Sequence, residues 1–332
     1  MSDKNTGHQR DESSQTHETI NKGEINHPLD ENDAQAVAAM REQTLPFKGQ
    51  MNGPEARVPF DHIMEQTPDA AGVTYENGTV GGVSGVWCRP EKSNSGAAIL
   101  YFHGGGYVFG SAHAYRHLGG QFAARTNTVT FIADYRLAPE NRFPAAIEDG
   151  QKAYLGLVEN GAHRIAIVGD SAGGGLTLSL LSILQNDPSK KQSVAPSAAV
   201  VMSPWTDLAL TGASYKDREE NDPIFTKKAI TDMSKEYLNG ADPRDPLASP
   251  MYANLAGLPP IQIHVGTEEI LFDDSRNFAE RVHAAKIDVA LHVWEGMPHV
   301  FPSSVGTLEA AEEALEIMTR FLSAHLSNQT TV

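Results

Sequence analysis

The sequence predicts an α/β fold in which a mostly parallel sheet is covered by helices on both faces. Two patterns carry that prediction. Short apolar runs of strand length recur, each bounded by Gly, Pro or polar residues, as strands buried on both faces require. Between them lie longer segments with apolar residues at helical spacing, the alternation a parallel sheet with crossover helices needs. A length of 332 residues accommodates one large domain of this kind.

Taken in order, residues 1–30 are polar and charged and read as a disordered tail. Asp33 is placed to cap a helix over AQAVAAMREQ, and a mixed stretch runs on to about Thr74. Val80–Cys88 reads as a strand with glycine interruptions. Ala97–Phe102, Thr128–Tyr135, Arg164–Asp170, Ser197–Ser203, Ile261–Gly266 and Val289–Trp294 read as further strands. Helices are expected over Pro144–Val158, Ala172–Gln185 and Asp273–Ala285. A last helix carries Leu308, Ala311, Leu315, Met318 and Leu322 on one face. Thr206–Pro250 breaks the alternation. It is rich in Asp and Pro, carries its own helix (Lys227–Leu238), and reads as an inserted lid or binding wall. The domain plan is thus a tail (1–30), an N-terminal segment (31–74), a main domain (75–204 and 251–326) and an insertion (205–250).

Composition narrows the function. The chain has 26 Lys+Arg against 42 Asp+Glu, a formal charge of −16, which argues against nucleic-acid or anionic-membrane partners. Cys88 is the one cysteine, so no intrachain disulfide and no Cys-rich metal site can form. The start, MSDKNTGHQRDESSQ, has no apolar core of a signal peptide. No run approaches the roughly 18 apolar residues that span a bilayer. Together these predict a cytoplasmic protein.

The chemistry is carried by IVGDSAGGGL at 167–176. Ser171 stands between a strand and a helix in a G-x-S-x-G setting, the nucleophile elbow, which lifts a serine hydroxyl clear of the sheet. The helix start aims its dipole and free N–H groups at developing negative charge. HGGGY at 103–107 follows another buried strand. Its Gly104 and Gly105 N–H groups, with that of Ala172, are the expected oxyanion hole. A phosphate loop is excluded because no G-K-[ST] ending follows. A serine nucleophile needs a base and an orienting carboxylate. Among the downstream histidines, His264 and His292 lie inside strands and His283 and His325 in helices. His299 follows a strand on a Gly/Pro loop, where open α/β sheets bind ligands. For the carboxylate, GTEEILFDD offers Glu268, Glu269, Asp273 and Asp274. Glu269 is preferred because it falls on the loop, while Asp273 and Asp274 are placed to cap the next helix; Glu268 is its competitor. His113 and His117 are four apart, but Ala114 replaces the glutamate of H-E-x-x-H and no third ligand follows, so no metal is expected.

These pieces resemble the hormone-sensitive lipase-like branch of the α/β-hydrolases, the bacterial family IV esterases. HGGGY (103–107), YRLAPENRFPAAIEDG (135–150), GDSAGG (169–174) and GMPHVF (296–301) carry the resemblance in the right order. It implies an α/β-hydrolase fold with a central sheet of about eight strands and a helical cap formed by the N-terminal segment and the insertion. It implies ester hydrolysis through Ser171, His299 and a carboxylate, without a cofactor. It also implies that Arg136, Glu140 and Asp149 fix loops beside the site. One departure stands out: the family's acid usually lies in an Asp-Pro-Leu triplet, whereas GTEEIL puts Glu269 at that place. Asp170, Tyr107, Trp205, Leu208, Ile270 and Phe301, each close in sequence to a catalytic element, are expected around the substrate. Bulky walls there favour short- to medium-chain acyl groups. An ε-lactone substrate is the alternative within the family, and a non-catalytic small-molecule-binding protein is the alternative outside it, which His299 argues against. A serine peptidase of the same fold is a further alternative, but such enzymes often carry a large propeller or extra domain, for which this length leaves no room. A homodimer is left open.

Overall fold

A computed structural model of the chain describes residues 23–186 and 194–327. Its strands are β1 (Glu24–His27), β2 (Val73–Val80), β3 (Val83–Pro90), β4 (Ala97–Phe102), β5 (Val129–Ala133), β6 (Arg164–Asp170), β7 (Ala198–Met202), β8 (Ile261–Glu268) and β9 (Val289–Pro298). Its helices are α1 (Glu31–Thr44), α2 (Arg57–Met64), α3 (Arg116–Thr126), α4 (Ala145–Glu159), α5 (Ser171–Asn186), α6 (Ser214–Asp217), α7 (Lys227–Leu238), α8 (Phe272–Ala284) and α9 (Glu309–Leu326). Among the described residues the strands form one sheet in the order β1-β9-β8-β7-β6-β4-β5-β3-β2. From β1 to β5 every neighbouring pair is parallel; β3 on β5 and β2 on β3 are antiparallel. The C-terminal ends of β4, β6, β7, β8 and β9 therefore share one edge, where such sheets place their ligands.

Strand alternation builds two cores. Along β4, Ala98, Leu100 and Phe102 join the core under α4, α5 and α8, while Ala97, Ile99 and Tyr101 join the one under α3 and α9. Both faces are apolar, which is why these strands read as continuous hydrophobic runs.

Three expectations change. The segment 24–27, expected in a polar tail, is an edge strand, making nine strands rather than about eight; residues 1–22 lie outside the described residues. The sequence EINH gives no apolar signal, because what holds it is pairing with β9 and the stacking of His27 on Trp294 (3.7 Å between centroids). Val80–Cys88 is not one strand but the turn and second arm of a hairpin, whose first arm, β2, starts at the end of the mixed stretch and runs to Val80. Gly81 and Gly82 (φ 58° and 83°) form the two-residue turn that left-handed backbone permits. Asp33 does not cap its own helix. Asp30 does, accepting from Asn32 N at 2.7 Å. Asp33 instead caps α9, accepting from the N–H groups of Glu309 and Ala310 at 2.8 Å each, and so pins the N-terminal segment to the C-terminal helix.

That segment also grips the insertion. Arg41 donates to the carbonyls of Glu220 and Asn221, Lys48 to that of Glu219, and Gly49 N to that of Ile224. No helix among the described residues is long and apolar enough to cross a membrane.

Candidate active site

The turn from β6 into α5 holds Ser171 at φ 53°, strained for a residue with a side chain. The flanking glycines make the turn possible. A Cβ on Gly169 would lie 2.3 Å from the Gly173 carbonyl oxygen, and one on Gly173 2.0 Å from that of Phe102. The elbow is thus wedged against the end of β4, with Ser171 7% exposed.

Glu269 leaves β8 and His299 leaves β9, and they meet. His299 Nδ1 lies 2.7 Å from Glu269 Oε2, both side chains buried. A carboxylate only accepts, so Nδ1 carries the proton and Nε2 is left as the basic nitrogen. His299 Nε2 is buried with no hydrogen-bond partner among the described residues, so it makes no bond to Ser171 Oγ here. Catalytic bonds of this kind are often long before substrate arrives. Burial alone would lower the His299 pKa, but the Glu269 carboxylate, with Asp222 and Asp170 nearby, leaves it above the ordinary imidazole value. Glu268 is partly exposed, and among the described residues its carboxylate accepts from Thr267 Oγ1 at 3.4 Å. Of the remaining acids, Asp273 accepts from Ser214 N and Asp274 from Thr206 and Asp207 N.

Sequence reading missed Ser203. It follows β7, between the strands that carry Ser171 and Glu269. Its Oγ donates to Glu269 Oε1 at 2.7 Å and accepts from Val300 N at 3.0 Å. Gly266 N donates to the same carboxylate oxygen at 2.9 Å. The carboxylate is therefore fixed from three sides. Only the strand order reveals Ser203, since in sequence it is an ordinary serine before a proline.

The glycine loop needs a correction. Gly104 N–H is taken up by Asp170 Oδ1 (3.1 Å) and Tyr115 OH (3.2 Å), so it cannot donate to an oxyanion. The N–H groups of Gly105 and Gly106 donate to no described group, which leaves these two, and not Gly104, able to donate to a bound oxygen. Asp170 is likewise no substrate contact. It is buried and accepts from Tyr101 and Tyr115 hydroxyls at 2.9 Å each, so it binds the loop to the residue before the nucleophile. Burial pushes its carboxyl up to about 6, against the pull of these donors.

The expected walls divide. Trp205 N donates to Ser171 O at 2.9 Å, and Tyr107 stacks on Tyr237 of α7 at 4.0 Å, so both stay beside the elbow. Phe301 does not: it packs on Trp294 in the core under α9, because the chain turns under the sheet after His299. Leu208 and Ile270 are buried in the opposite core. Phe225, unforeseen, meets the His299 ring edge-on at 5.1 Å, and Met233 of α7 lies over Gly106. Arg136 pairs with Asp149 (2.7 Å) and Glu140 with Arg57 of α2 (2.6 Å), bracing the loops after β5. His113 lies 3.5 Å from Glu65, and His117 bonds the Thr67 carbonyl. Among the described residues, no three His, Cys, Asp or Glu side chains converge as metal ligands.

A family profile described as the alpha/beta hydrolase fold matches residues 99–303. An acetyl-hydrolase of Streptomyces hygroscopicus is 36% identical over 268 residues, covering 80% of this chain and 88% of the relative. An ethyl acetate hydrolase of Pseudomonas putida is 32% identical over 250 residues, 72% of this chain and 77% of the relative. Among solved structures, an esterase from the bacterial hormone-sensitive lipase family superposes with a TM-score of 0.82 at 33% identity, covering 90% of this chain and 99% of that one.

Proposed function

The chain belongs to the hormone-sensitive lipase-like branch of the α/β-hydrolases and is a carboxylic ester hydrolase, and we propose that it cleaves short- to medium-chain esters through an acyl-enzyme on Ser171. The observation that carries this reading is the buried Glu269–His299 pair with Nε2 bare, at the same end of the sheet as Ser171.

In the first half-reaction His299 Nε2 takes the Ser171 proton as Oγ attacks the ester carbonyl carbon. The carbonyl oxygen becomes an oxyanion facing the N–H groups of Gly105, Gly106 and Ala172. Glu269 stabilises the imidazolium so formed and keeps its proton on Nδ1. The tetrahedral intermediate collapses, His299 gives its proton to the leaving alkoxide, and the alcohol departs. Water then repeats the sequence on the acyl-enzyme and frees the acid and Ser171. The N-terminal segment and the insertion, joined over the loop end of the sheet, form the cap. Tyr107, Trp205 and Phe225 crowd the space beside Ser171 and His299, which favours small acyl groups, in keeping with relatives named for acetyl esters.

A panel of p-nitrophenyl esters from acetate to palmitate, with an ε-lactone arm, tests this. Acetate and butyrate are expected to be the best esters. Ser171→Ala should lower kcat by several powers of ten and Glu269→Gln by about 10²–10⁴-fold, with Glu268→Gln near wild type. Activity rising steadily toward palmitate would overturn the chain-length reading. Collapse of Glu268→Gln with Glu269→Gln intact would overturn the assignment of the acid.

A further inference from the structure

The insertion does more than cover the site, because it is bonded to the loop that carries the acid. Asp222, in the stretch between α6 and α7, is fully buried. Its Oδ1 accepts from Ile224 N (2.7 Å) and Phe225 N (2.8 Å), closing a tight turn that presents the Phe225 ring to the His299 imidazole. Its Oδ2 accepts from Ile270 N at 3.0 Å, the residue directly after Glu269. On the other side of Glu269, Arg218 donates to the Thr267 carbonyl while its guanidinium lies 3.9 Å from the centre of the Phe272 ring. Thr267 and Ile270 bracket the acid, so both ends of its loop are anchored in the insertion. The next carbonyls of that stretch, Glu219 to Asn221, are the ones gripped by Arg41 and Lys48 of the N-terminal segment.

We propose that Asp222 is a positioning residue for the Glu269–His299 pair, and the point through which both cap segments set the geometry of the catalytic base. One carboxylate fixes the acid from behind, through Ile270, and the base from the side, through Phe225. It also adds a second buried carboxyl to the surroundings of an imidazole that must become positive during turnover. The titratable groups facing His299 are Glu269 after β8, Asp222 from the insertion and Asp170 at the end of β6. Each favours the imidazolium. Burial pushes the Asp222 carboxyl up, and its three N–H donors pull it back toward the ionised form.

The inference rests on the esterase reading, and its test uses a readout independent of turnover. The His299 imidazole of the full chain is followed by ¹⁵N and low-field ¹H NMR, assigned by difference from His299→Gln, in wild type and Asp222→Asn. Asparagine fills the same space and still accepts from Ile224 and Phe225 N–H, but it cannot accept from all three donors or carry the charge. Asp222→Asn is expected to lower the His299 pKa by about half a pH unit or more. On p-nitrophenyl acetate it should lower kcat about 10- to 100-fold with KM within about twofold, and move the acid limb of the rate to lower pH. A simple loosening of the fold would lower the melting temperature without moving the imidazole titration. Should Asp222→Asn melt far below wild type, Asp222→Ser, smaller and still an acceptor, is measured in its place with the same expectation. A titration and a kcat that both superimpose on wild type overturn the proposal. If wild type cleaved no ester while the titration still moved, the esterase reading would fall and the positioning role would stand.

Discussion

An imidazole with one nitrogen on a buried carboxylate and the other bare is a base whose strength is set by its neighbours. His299 sits above the ordinary imidazole value because Glu269 outweighs the cost of burial. The proposed mechanism needs the neutral form, so kcat/KM should fall as pH drops through that raised value, and the midpoint of wild type should lie above about 6.5. Glu269→Gln removes the charge that raises it, so its residual activity should persist to lower pH. An acid limb that stays in place in Glu269→Gln would contradict this. Asp170 adds a second proton. Its carboxyl titrates near 6, and below that pH its hold on Gly104 N–H and the two tyrosines weakens. The wild-type limb should therefore steepen beyond one proton under about pH 6. Asp170→Asn should titrate as a single proton with kcat reduced about 10-fold or more, because an amide keeps one acceptor oxygen and loses the other, which loosens the tie between the elbow and the loop carrying Gly105 and Gly106. The residues legible in sequence here are those whose roles follow from turn chemistry. Gly169, Ser171 and Gly173 announce themselves because no other residues fit the backbone, and His299 by its loop after a strand. Gly104, Asp170 and Ser203 were misread or missed because their roles depend on which neighbour a single N–H or hydroxyl faces, and spacing does not encode that.

At the scale of elements, β1 raises the question of what holds a polar strand of four residues on a sheet edge. The answer is a chain of aromatic and hydrogen-bonding contacts running inward from His27. Its Nε2 lies 2.9 Å from His292 Nδ1, His292 stacks on His264 at 4.5 Å, and Trp294 Nε1 donates to His264 Nδ1 at 3.2 Å. All three histidines are held neutral: burial, above all, lowers His27 even against Glu313, takes His292 down to about 4, and holds His264 well below the ordinary imidazole value. The unfolded chain would protonate them near 6.5 and so bind more protons than the folded one below that pH. Their contribution to stability is thus complete above 6.5 and is lost as pH falls toward 4. Wild type should lose melting temperature over that window, and His292→Asn should lose less, with esterase activity at pH 8 retained because the His292 ring meets His27, Gln262 and His264 and none of Ser171, Glu269 and His299. Equal slopes for both proteins would show that the stack is not what titrates. This element was illegible for a physical reason: β3 to β9 are chosen by their own apolar patterns, whereas β1 is chosen by an exposed edge and two rings on another strand. The hairpin of β2 and β3 hid for a related reason, since its first arm is half exposed and carries little apolar signal.

At the scale of the whole molecule, the proposed cap draws on two distant stretches of chain that pack on a two-faced sheet, and how firmly those stretches are joined would set access to the site. Both stretches share the core: Leu208, Tyr215, Ile230, Met233 and Tyr237 of the insertion belong to the cluster under α4, α5 and α8, and Ala36, Val37 and Met40 of α1 pack on the cluster under α9. The two stretches are joined to each other by polar contacts from Arg41, Lys48 and Gly49 to the carbonyls of 219–221 and 224. Each such bond contributes about 1 kcal/mol net, and somewhat more when the donor is charged. Removing two charged donors should therefore loosen the cap by a few kcal/mol while leaving the sheet intact. Arg41 and Lys48 touch neither Ser171 nor His299, so the double variant Arg41→Ala/Lys48→Ala isolates this effect. A looser cap holds small substrates less well, and KM for p-nitrophenyl acetate should rise about 3- to 10-fold. The same loosening relaxes the crowding by Phe225 and Tyr107, so the chain-length optimum should move toward longer acyl groups while the main melting transition shifts by only a few degrees. Unchanged KM and chain-length profile in a folded double variant would mean that the insertion holds its position through α7 and Asp222 alone, and that the N-terminal segment is a passenger on it.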